Sequence, residues 1–235
     1  MRWKKWAVIG LAAVEAFVFN ITAYAEANFE GNGYYLAAYK AYNRAKKAAN
    51  FKESTDAYAE AISCVSRAVE ENPDNFDYLV LASLIYRGKG GAAYAQNYFL
   101  RAENIINERV KENPTDIESR INRAILYYAG DGQFSDKAYK YSKEALKEAN
   151  VIVNLCQQAL KKDKNTPNIS RALAFAYLMK GNKRECERFL EASSTENDKN
   201  KLIADLYENT VKKNKWLWNV KEVEKEFLLY AIMLH

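Results

Sequence analysis

The sequence predicts an all-α fold built from stacked helix-turn-helix units, and three observations lead to this prediction. The 235 residues include only 3 prolines and 9 glycines, so few positions interrupt a helix. Apolar side chains recur every three or four residues over most of the chain, which is the period of one helix face. An Asn-Pro pair ends two successive stretches of this kind, first at Pro73 and then at Pro114. A helix-ending pair that recurs after about 40 residues is typical of helical-repeat arrays.

The N-terminal stretch 1–25 has the pattern of a secretory signal peptide. Basic side chains at Arg2, Lys4 and Lys5 precede an apolar stretch over 6–19, and the small-x-small sequence Ala23-Tyr24-Ala25 follows. We therefore expect cleavage after Ala25 and export to the periplasm or cell envelope. The alternative is a retained anchor, since the stretch 6–25 has about the ~20 residues that span a bilayer. Membrane contact is expected only in that case.

Residues 26–33 form a short polar leader, and the helical pattern begins at Tyr34. The first helix is expected to end near Asn50, and Ser54 or Thr55 is expected to cap the second helix through a side-chain oxygen. The second helix ends at Asn72, because a residue before proline is disfavoured in the α conformation. The apolar stripes of these two helices are Tyr35, Ala38, Tyr42 and Ala45, followed by Ala57, Ala61, Val65 and Ala68.

Glycine-rich turns divide the rest of the chain into further helix pairs. A third and a fourth helix are separated at 87–91, a fifth and a sixth at 130–132, and a later pair at 180–182. Between Leu146 and Pro167 the sequence stays apolar, which fits either one long sixth helix or an additional inserted helix. Residues 197–235 are expected to form C-terminal capping helices, because an end unit of a stack has one uncovered face.

Small residues lie where the two helices of each predicted pair would meet. Ala61 and Ala68 precede Pro73, and Ala102 and Val110 precede Pro114 in the same way. Residues 129–138, Ala-Gly-Asp-Gly-Gln-Phe-Ser-Asp-Lys-Ala, form a turn followed by the small Ala138. A last copy has Leu173 and Tyr177 on its first helix, a turn over 180–182, and Cys186 at the small position.

This pattern resembles the tetratricopeptide repeat family over residues 34–196. Pro73 and Pro114 lie further apart than the about 34 residues of one repeat in that family, so insertions in the turns are expected. The resemblance implies that a ligand lies in a concave groove lined by the first helix of each pair. The groove residues that it implies are Val80, Leu84, Arg87, Asn122, Leu126, Arg171 and Phe175.

The residues that usually carry catalysis or bind metals are scarce. The only histidine is His235, the last residue, so the sequence does not favour a catalytic or metal site that depends on an imidazole group. Cys64, Cys156 and Cys186 fall at apolar or small helical positions, which favours packing over one disulfide with a free thiol. The glycine-rich stretch at 87–91 lacks the Lys-Ser/Thr ending of a phosphate-binding loop. The sequence therefore predicts no enzyme, no metal and no cofactor.

The charge pattern argues against nucleic acid as a partner. The net charge is +5, but acidic and basic residues alternate, as they do along 221–226. That alternation is typical of a solvated helix face and not of a basic stripe.

These observations favour a non-enzymatic protein-binding or scaffold module that recognises a protein partner or peptide segment through the groove. The alternative is a small-molecule carrier or an accessory subunit of an envelope transporter. That alternative would use an aromatic-lined pocket between helices. Many of the 17 tyrosines, such as Tyr42 and Tyr86, are expected to pack between the helices of a pair. The candidates for lining an exposed groove are Tyr34, Tyr39, Tyr78, Tyr94, Tyr127 and Tyr139.

The leader gives the first testable prediction. After expression of the full sequence in a bacterial host, N-terminal sequencing is expected to find Glu26 as the first residue. Ala25→Arg should block processing because the cleavage site needs a small residue, whereas Tyr24→Phe should be processed normally. An unprocessed wild-type chain that only detergent extracts would favour the anchor.

Overall fold

The computed structural model describes residues 33–130, 138–162, 168–212, 224, 225, 227 and 228. These residues are helical apart from short turns, and none of them lies in a strand, so the predicted all-α class is confirmed. The helices are α1 (Gly33–Lys47), α2 (Phe51–Glu71), α3 (Phe76–Gly88), α4 (Ala92–Glu112), α5 (Ile117–Gly130), α6 (Ala138–Lys162), α7 (Ile169–Met179), α8 (Lys183–Ser194) and α9 (Asp198–Tyr207). A π-helical turn, Glu208–Lys212, continues α9.

The chain divides into two compact units, with the boundary between Arg109 and Val110. In the N-terminal unit, α1 packs against α2, α2 against α3, and α1 also contacts α3. In the C-terminal unit, α5 to α9 pack each against the next, and α5 also contacts α7. Each unit thus combines helix hairpins with contacts between the first helices of hairpins, the arrangement expected of stacked repeats.

The two Asn-Pro turns have the same backbone structure. In the first, the N–H of Asn75 donates to the carbonyl of Asn72 at 3.2 Å, and in the second Asp116 donates to Asn113 at 3.1 Å. The side chains of Asn75 and Asp116 then accept hydrogen bonds from the N–H groups two and three residues further on. These caps satisfy donors that the first turn of a helix leaves unpaired. The sequence repeat is therefore also a structural repeat.

Two glycine turns form a second repeated feature. Gly90 and Gly181 have φ angles of 90° and 73°, in the left-handed region that glycine adopts without steric cost. The residue after each glycine donates its N–H to the carbonyl of Tyr86 (2.7 Å) or of Tyr177 (2.9 Å). This i to i+5 bond is the Schellman arrangement, which ends a helix and satisfies one of its last carbonyls. The predicted turns at 87–91 and 180–182 are confirmed.

Above each of these turns, one aromatic ring of the first helix stacks on one of the second. The ring centroids of Tyr86 and Tyr98 are 5.5 Å apart, and those of Tyr177 and Phe189 are 5.6 Å apart. Tyr177 follows Tyr86 along the chain at the same distance as Phe189 follows Tyr98. The α3–α4 and α7–α8 hairpins are therefore equivalent in their turns and in the stack that covers them.

The helix boundaries correct one prediction and resolve another. The cap of α2 is Asn50, whose Oδ1 accepts from the N–H of Glu53 at 2.9 Å, and neither Ser54 nor Thr55. Ser54 instead donates its hydroxyl to the carbonyl of Ala45 at 3.1 Å. The apolar stretch after Leu146 belongs to one long helix, because α6 runs unbroken to Lys162.

Several expectations fall outside the described residues. They are the signal peptide or anchor at 1–25, the leader up to residue 32, the turn after Gly130, and the last residues from 229 onward. Within the described residues, no helix is both long and apolar enough to cross a membrane.

The caps give the second prediction. Asn75→Ala is expected to lower the free energy of unfolding by about 1 kcal/mol, because two backbone N–H groups of α3 lose their acceptor. The neighbouring Asp74→Ala, at an exposed position, is the matched control and should stay within about 0.5 kcal/mol of the wild type. Urea unfolding measures both, and equal effects would contradict the capping role.

Candidate partner-binding face

The candidate partner-binding residues lie on the first helices of hairpins, in each of the two units. The seven groove residues lie on three of these helices: Val80, Leu84 and Arg87 on α3, Asn122 and Leu126 on α5, and Arg171 and Phe175 on α7. Because α5 contacts α7, the last four lie on adjacent helices of the C-terminal unit. We call the α5–α7 surface the first-helix face of that unit.

The structure corrects the expectation of an open groove at four of the seven positions. Val80, Leu126 and Arg171 are each 2% exposed, and Phe175 is fully buried. Leu84, Arg87 and Asn122 are half-buried and keep some access to solvent. A partner could reach the other four only after the residues that cover them move.

Phe175 is covered by the C-terminal end of the same chain. The ring of Phe227 packs against Phe175 with centroids 6.0 Å apart and planes at 83°, and against Tyr207 of α9 at 5.4 Å and 73°. Phe227 is 1% exposed and Leu228 is fully buried. Such edge-to-face contacts suit the opposite partial charges of ring edge and ring face. We call Glu224, Lys225, Phe227 and Leu228 the C-terminal segment.

The same segment places a carboxylate on the C-terminal unit. Tyr128 donates its hydroxyl to one oxygen of Glu224 at 3.0 Å, and the ammonium of Lys183 lies 2.9 Å from the other. Glu224 is 5% exposed, whereas the Lys183 side chain is 41% exposed. A buried carboxylate is tolerated only when its oxygens are paired, and here each has a partner.

In the same unit, Arg171 of α7 pairs with Glu118 of α5. The distance from Nη2 to Oε2 is 2.9 Å, and the Arg171 side chain is 3% exposed. Among the described residues, the Nε of Arg171 and the Oδ1 of Asn122 are buried without a hydrogen-bond partner. Arg171 therefore joins α5 to α7, and its role in this structure is to pair with a carboxylate of the same chain.

A further ion-pair cluster joins α5 to α6. Glu148 accepts from Arg120 at 2.9 Å through one oxygen and from Arg123 at 2.6 Å through the other. All three side chains are mostly buried. Truncating Glu148 would leave two cations near one another, so the cluster holds the hairpin together instead of offering a free charge.

The three cysteines are free thiols. Burial raises the pKa of both Cys156 and Cys186 to about 12, so the two stay protonated at neutral pH. Cys186 is also hydrogen bonded to Tyr207, whose own pKa is raised by burial. A protonated, buried thiol is a poor nucleophile and packs as a small apolar group, as predicted for these two positions.

The structure decides for several tyrosines whether they belong to the core, which the sequence left open. Tyr39, Tyr78 and Tyr127, which were candidates for an exposed interface, are at most 9% exposed and belong to the core. Tyr94 is 64% exposed, and its ring stacks on Tyr86 with centroids 5.2 Å apart. Tyr139 lies outside the residues whose side chains are described.

The N-terminal unit contains a cleft of about 460 Å3 beside the turn between α1 and α2. Its lining is charged or polar except for one alanine: Arg44, Asn50, Lys52, Glu53, Asp56, Ala57 and Glu60. Arg44 and Glu60 form an ion pair across it. No group of potential metal ligands is found among the described residues.

Sequence reasoning identified α5 and α7 but not the residues that cover them. Glu224 and Tyr128 are 96 residues apart in the chain, and no local pattern links them. The signal in the sequence is the helical spacing of Val220, Val223 and Phe227, which predicts that Phe227 is buried but does not identify its partner.

Comparison with known proteins gives no match, either to a family model or to a curated protein.

The thiols give the third prediction. The pKa of Cys156 is raised from 9.0 to about 12, so above pH 9 the unfolded chain releases this proton while the folded chain retains it. The contribution of the Cys156 thiol to the free energy of unfolding is therefore complete below pH 9 and is lost as the pH rises toward 12. Between pH 9 and 11, Cys156→Ala should make the fall in unfolding free energy shallower by about 1 kcal/mol per pH unit.

Urea unfolding at several pH values measures this slope. Cys64→Ala is the matched control, because Cys64 is half-buried and the pKa of its thiol is raised less. An unchanged slope in Cys156→Ala would contradict the prediction.

Proposed function

We propose that this chain is a non-enzymatic protein-binding or scaffold module of the cell envelope, with hairpins of tetratricopeptide type. In this proposal it recognises a segment of a protein partner through the surfaces of its first helices. It requires no cofactor, and nucleic acid is not among its partners.

One observation carries the proposal. The first-helix face of the C-terminal unit already holds a short helical segment, which packs an aromatic ring on α7 and directs a carboxylate to α5 and α8. A surface that accommodates one helical segment with paired polar groups has the shape and chemistry to accommodate another. Recognition of a helix in a groove needs these two elements, an apolar anchor and a polar contact that fixes its register.

The tetratricopeptide assignment is supported by the equivalence of the α3–α4 and α7–α8 hairpins. The small residues of their second helices also correspond. Cys186 of α8 follows Ala95 of α4, and Ser193 follows Ala102, at the same distance along the chain that separates the two stacked ring pairs. All four are at most 1% exposed. Small buried side chains at these positions allow two helices to approach closely.

The envelope location is supported by the sequence of residues 1–25, with its basic start, apolar stretch and small-x-small ending. The alternative function, a small-molecule carrier, called for an aromatic-lined pocket. The cleft between α1 and α2 is lined mainly by charged side chains and does not favour that alternative.

The positions best suited to test the proposal are on α3, since Leu84 and Arg87 retain access to solvent. The test is affinity capture from an envelope extract of the source organism, with Leu84→Glu/Arg87→Glu beside the wild type. The expected result is a protein captured by the wild type and reduced at least ten-fold with the variant. Introduced carboxylates would repel a partner that meets an apolar and cationic surface.

The matched control is Leu100→Glu/Arg109→Glu on α4, which makes the same change in charge at two exposed positions of a second helix. It should capture the partner as the wild type does, and both variants should keep a native circular dichroism spectrum. A partner lost equally from both variants, or kept by both, would count against recognition through the first helices.

A further inference from the structure

We infer that the surface of the C-terminal unit formed by Tyr128 of α5, Phe175 of α7, Lys183 of α8 and Tyr207 of α9 is a binding site for helical protein segments with a carboxylate three residues before an aromatic ring. Glu224 and Phe227 occupy this site as an internal ligand of the same chemistry. The inference rests on the proposed function and specifies the ligand class of one of its surfaces.

The aromatic half of the site is formed by Phe175 and Tyr207. Both present their rings to Phe227 nearly at right angles, at 83° and 73°. Phe175 is fully buried and Tyr207 is 2% exposed, so the subsite encloses the inserted ring. Edge-to-face geometry from two sides selects a flat aromatic side chain over an aliphatic one of similar volume.

The half of the site that binds the carboxylate is formed by Tyr128 and Lys183. The Tyr128 hydroxyl donates to one oxygen of Glu224 and the Lys183 ammonium pairs with the other, an arrangement that suits a carboxylate and not an amide. The Lys183 side chain is 41% exposed, so this half opens to solvent and an incoming acidic residue could reach the ammonium directly.

The spacing of the two halves sets the sequence of the ligand. Glu224 and Phe227 are three residues apart and both helical, and residues at this spacing lie on the same helix face. Leu228, directly after the ring, is also fully buried. The segment that fits is thus a helix with the sequence Glu-x-x-Phe-Leu.

The polar half makes the site selective for the chemistry of its occupant. Apolar contacts alone would be enough to cover the last helices of a stack. Burying a carboxylate has an unfavourable desolvation free energy, which its ion pair offsets only in part. Such a pair adds selectivity for the occupant more than stability.

The segment is also tethered close to its site. Only the short stretch 213–223 separates it from Lys212, the last residue of the π-helical turn. Because the segment belongs to the same chain as the site, it competes with a separate peptide as an intramolecular ligand.

The experiment uses protein purified after expression of the full sequence and a fluorescein-labelled peptide with the sequence of residues 219–235. Fluorescence anisotropy measures peptide binding to the wild type, to Glu224→Gln, and to Glu224→Gln/Phe227→Ala. The variants release the internal segment, so affinity should rise in that order. The double variant is expected to bind at least ten-fold more tightly than the wild type, where the tethered segment competes.

Peptide variants test the chemistry of recognition. A peptide with Glu224→Gln or Phe227→Ala should bind the double-variant protein at least ten-fold more weakly than the parent peptide. A Lys221→Ala peptide, changed outside the segment, should bind as the parent does. Adding Lys183→Gln to the double-variant protein should weaken the parent peptide, and its exposed position makes the change compatible with folding.

Three results would overturn the inference. The first is a double variant with a native circular dichroism spectrum that does not bind the peptide, which would make the segment a permanent cap. The second is an unfolded double variant together with a Glu224→Gln protein that binds no better than the wild type. The third is a wild-type dimer that Phe227→Ala dissolves, which would make the occupant a second copy.

Failure here is separable from failure of the proposed function. The capture experiment depends on Leu84 and Arg87 of the N-terminal unit, and none of the peptide measurements changes those residues.

Discussion

A chain made of short helices must satisfy the backbone groups that each helix end leaves unpaired, and the positions of these ends determine the rest of this structure. Side-chain oxygens accept from free N–H groups at five helix starts, through Asn50, Asn75, Asp116, Asn182 and Asn197. Each cap fixes where a helix begins and hence which side chains its apolar stripe presents to the preceding helix. The hairpins, and the contacts between their first helices, follow from these fixed lengths.

Features encoded within a few residues could be predicted from the sequence. The end of α2 before Pro73 and the turn at Gly90 follow from steric rules that act on one or two residues. The cap of α2 was misplaced because Asn50, Ser54 and Thr55 are all competent capping residues, and only the structure decides among them. Local rules therefore located the turns but did not always identify the side chain that closes them.

Burial of the candidate site could not be predicted in the same way. Periodicity identifies which side chains share a helix face, and Leu126, Arg171 and Phe175 do lie on first helices. It does not identify what lies opposite that face. The covering residue Phe227 is distant from Phe175 along the chain, and no turn or helix pattern connects the two.

The formal net charge also says less about the electrostatics of the protein surface than the pairing of individual charged side chains does. Arg120, Arg123 and Arg171 all pair with carboxylates at largely buried positions, so these guanidinium groups contribute little to the field outside the protein. A count of basic residues thus overstates how cationic the surface of the C-terminal unit is.

The long separation between Tyr128 and Glu224 has a consequence for how the C-terminal unit is made. Helix hairpins form from contacts close in sequence and fold rapidly, but the Tyr128–Glu224 contact closes a loop of 96 residues. A chain is synthesised from its N-terminus, so α5 and α7 emerge from the ribosome well before Glu224 does. Until then the ring of Phe175 has no cover from Phe227. Newly made chains therefore pass through an interval in which this apolar surface faces water, and a chaperone could hold it during that time.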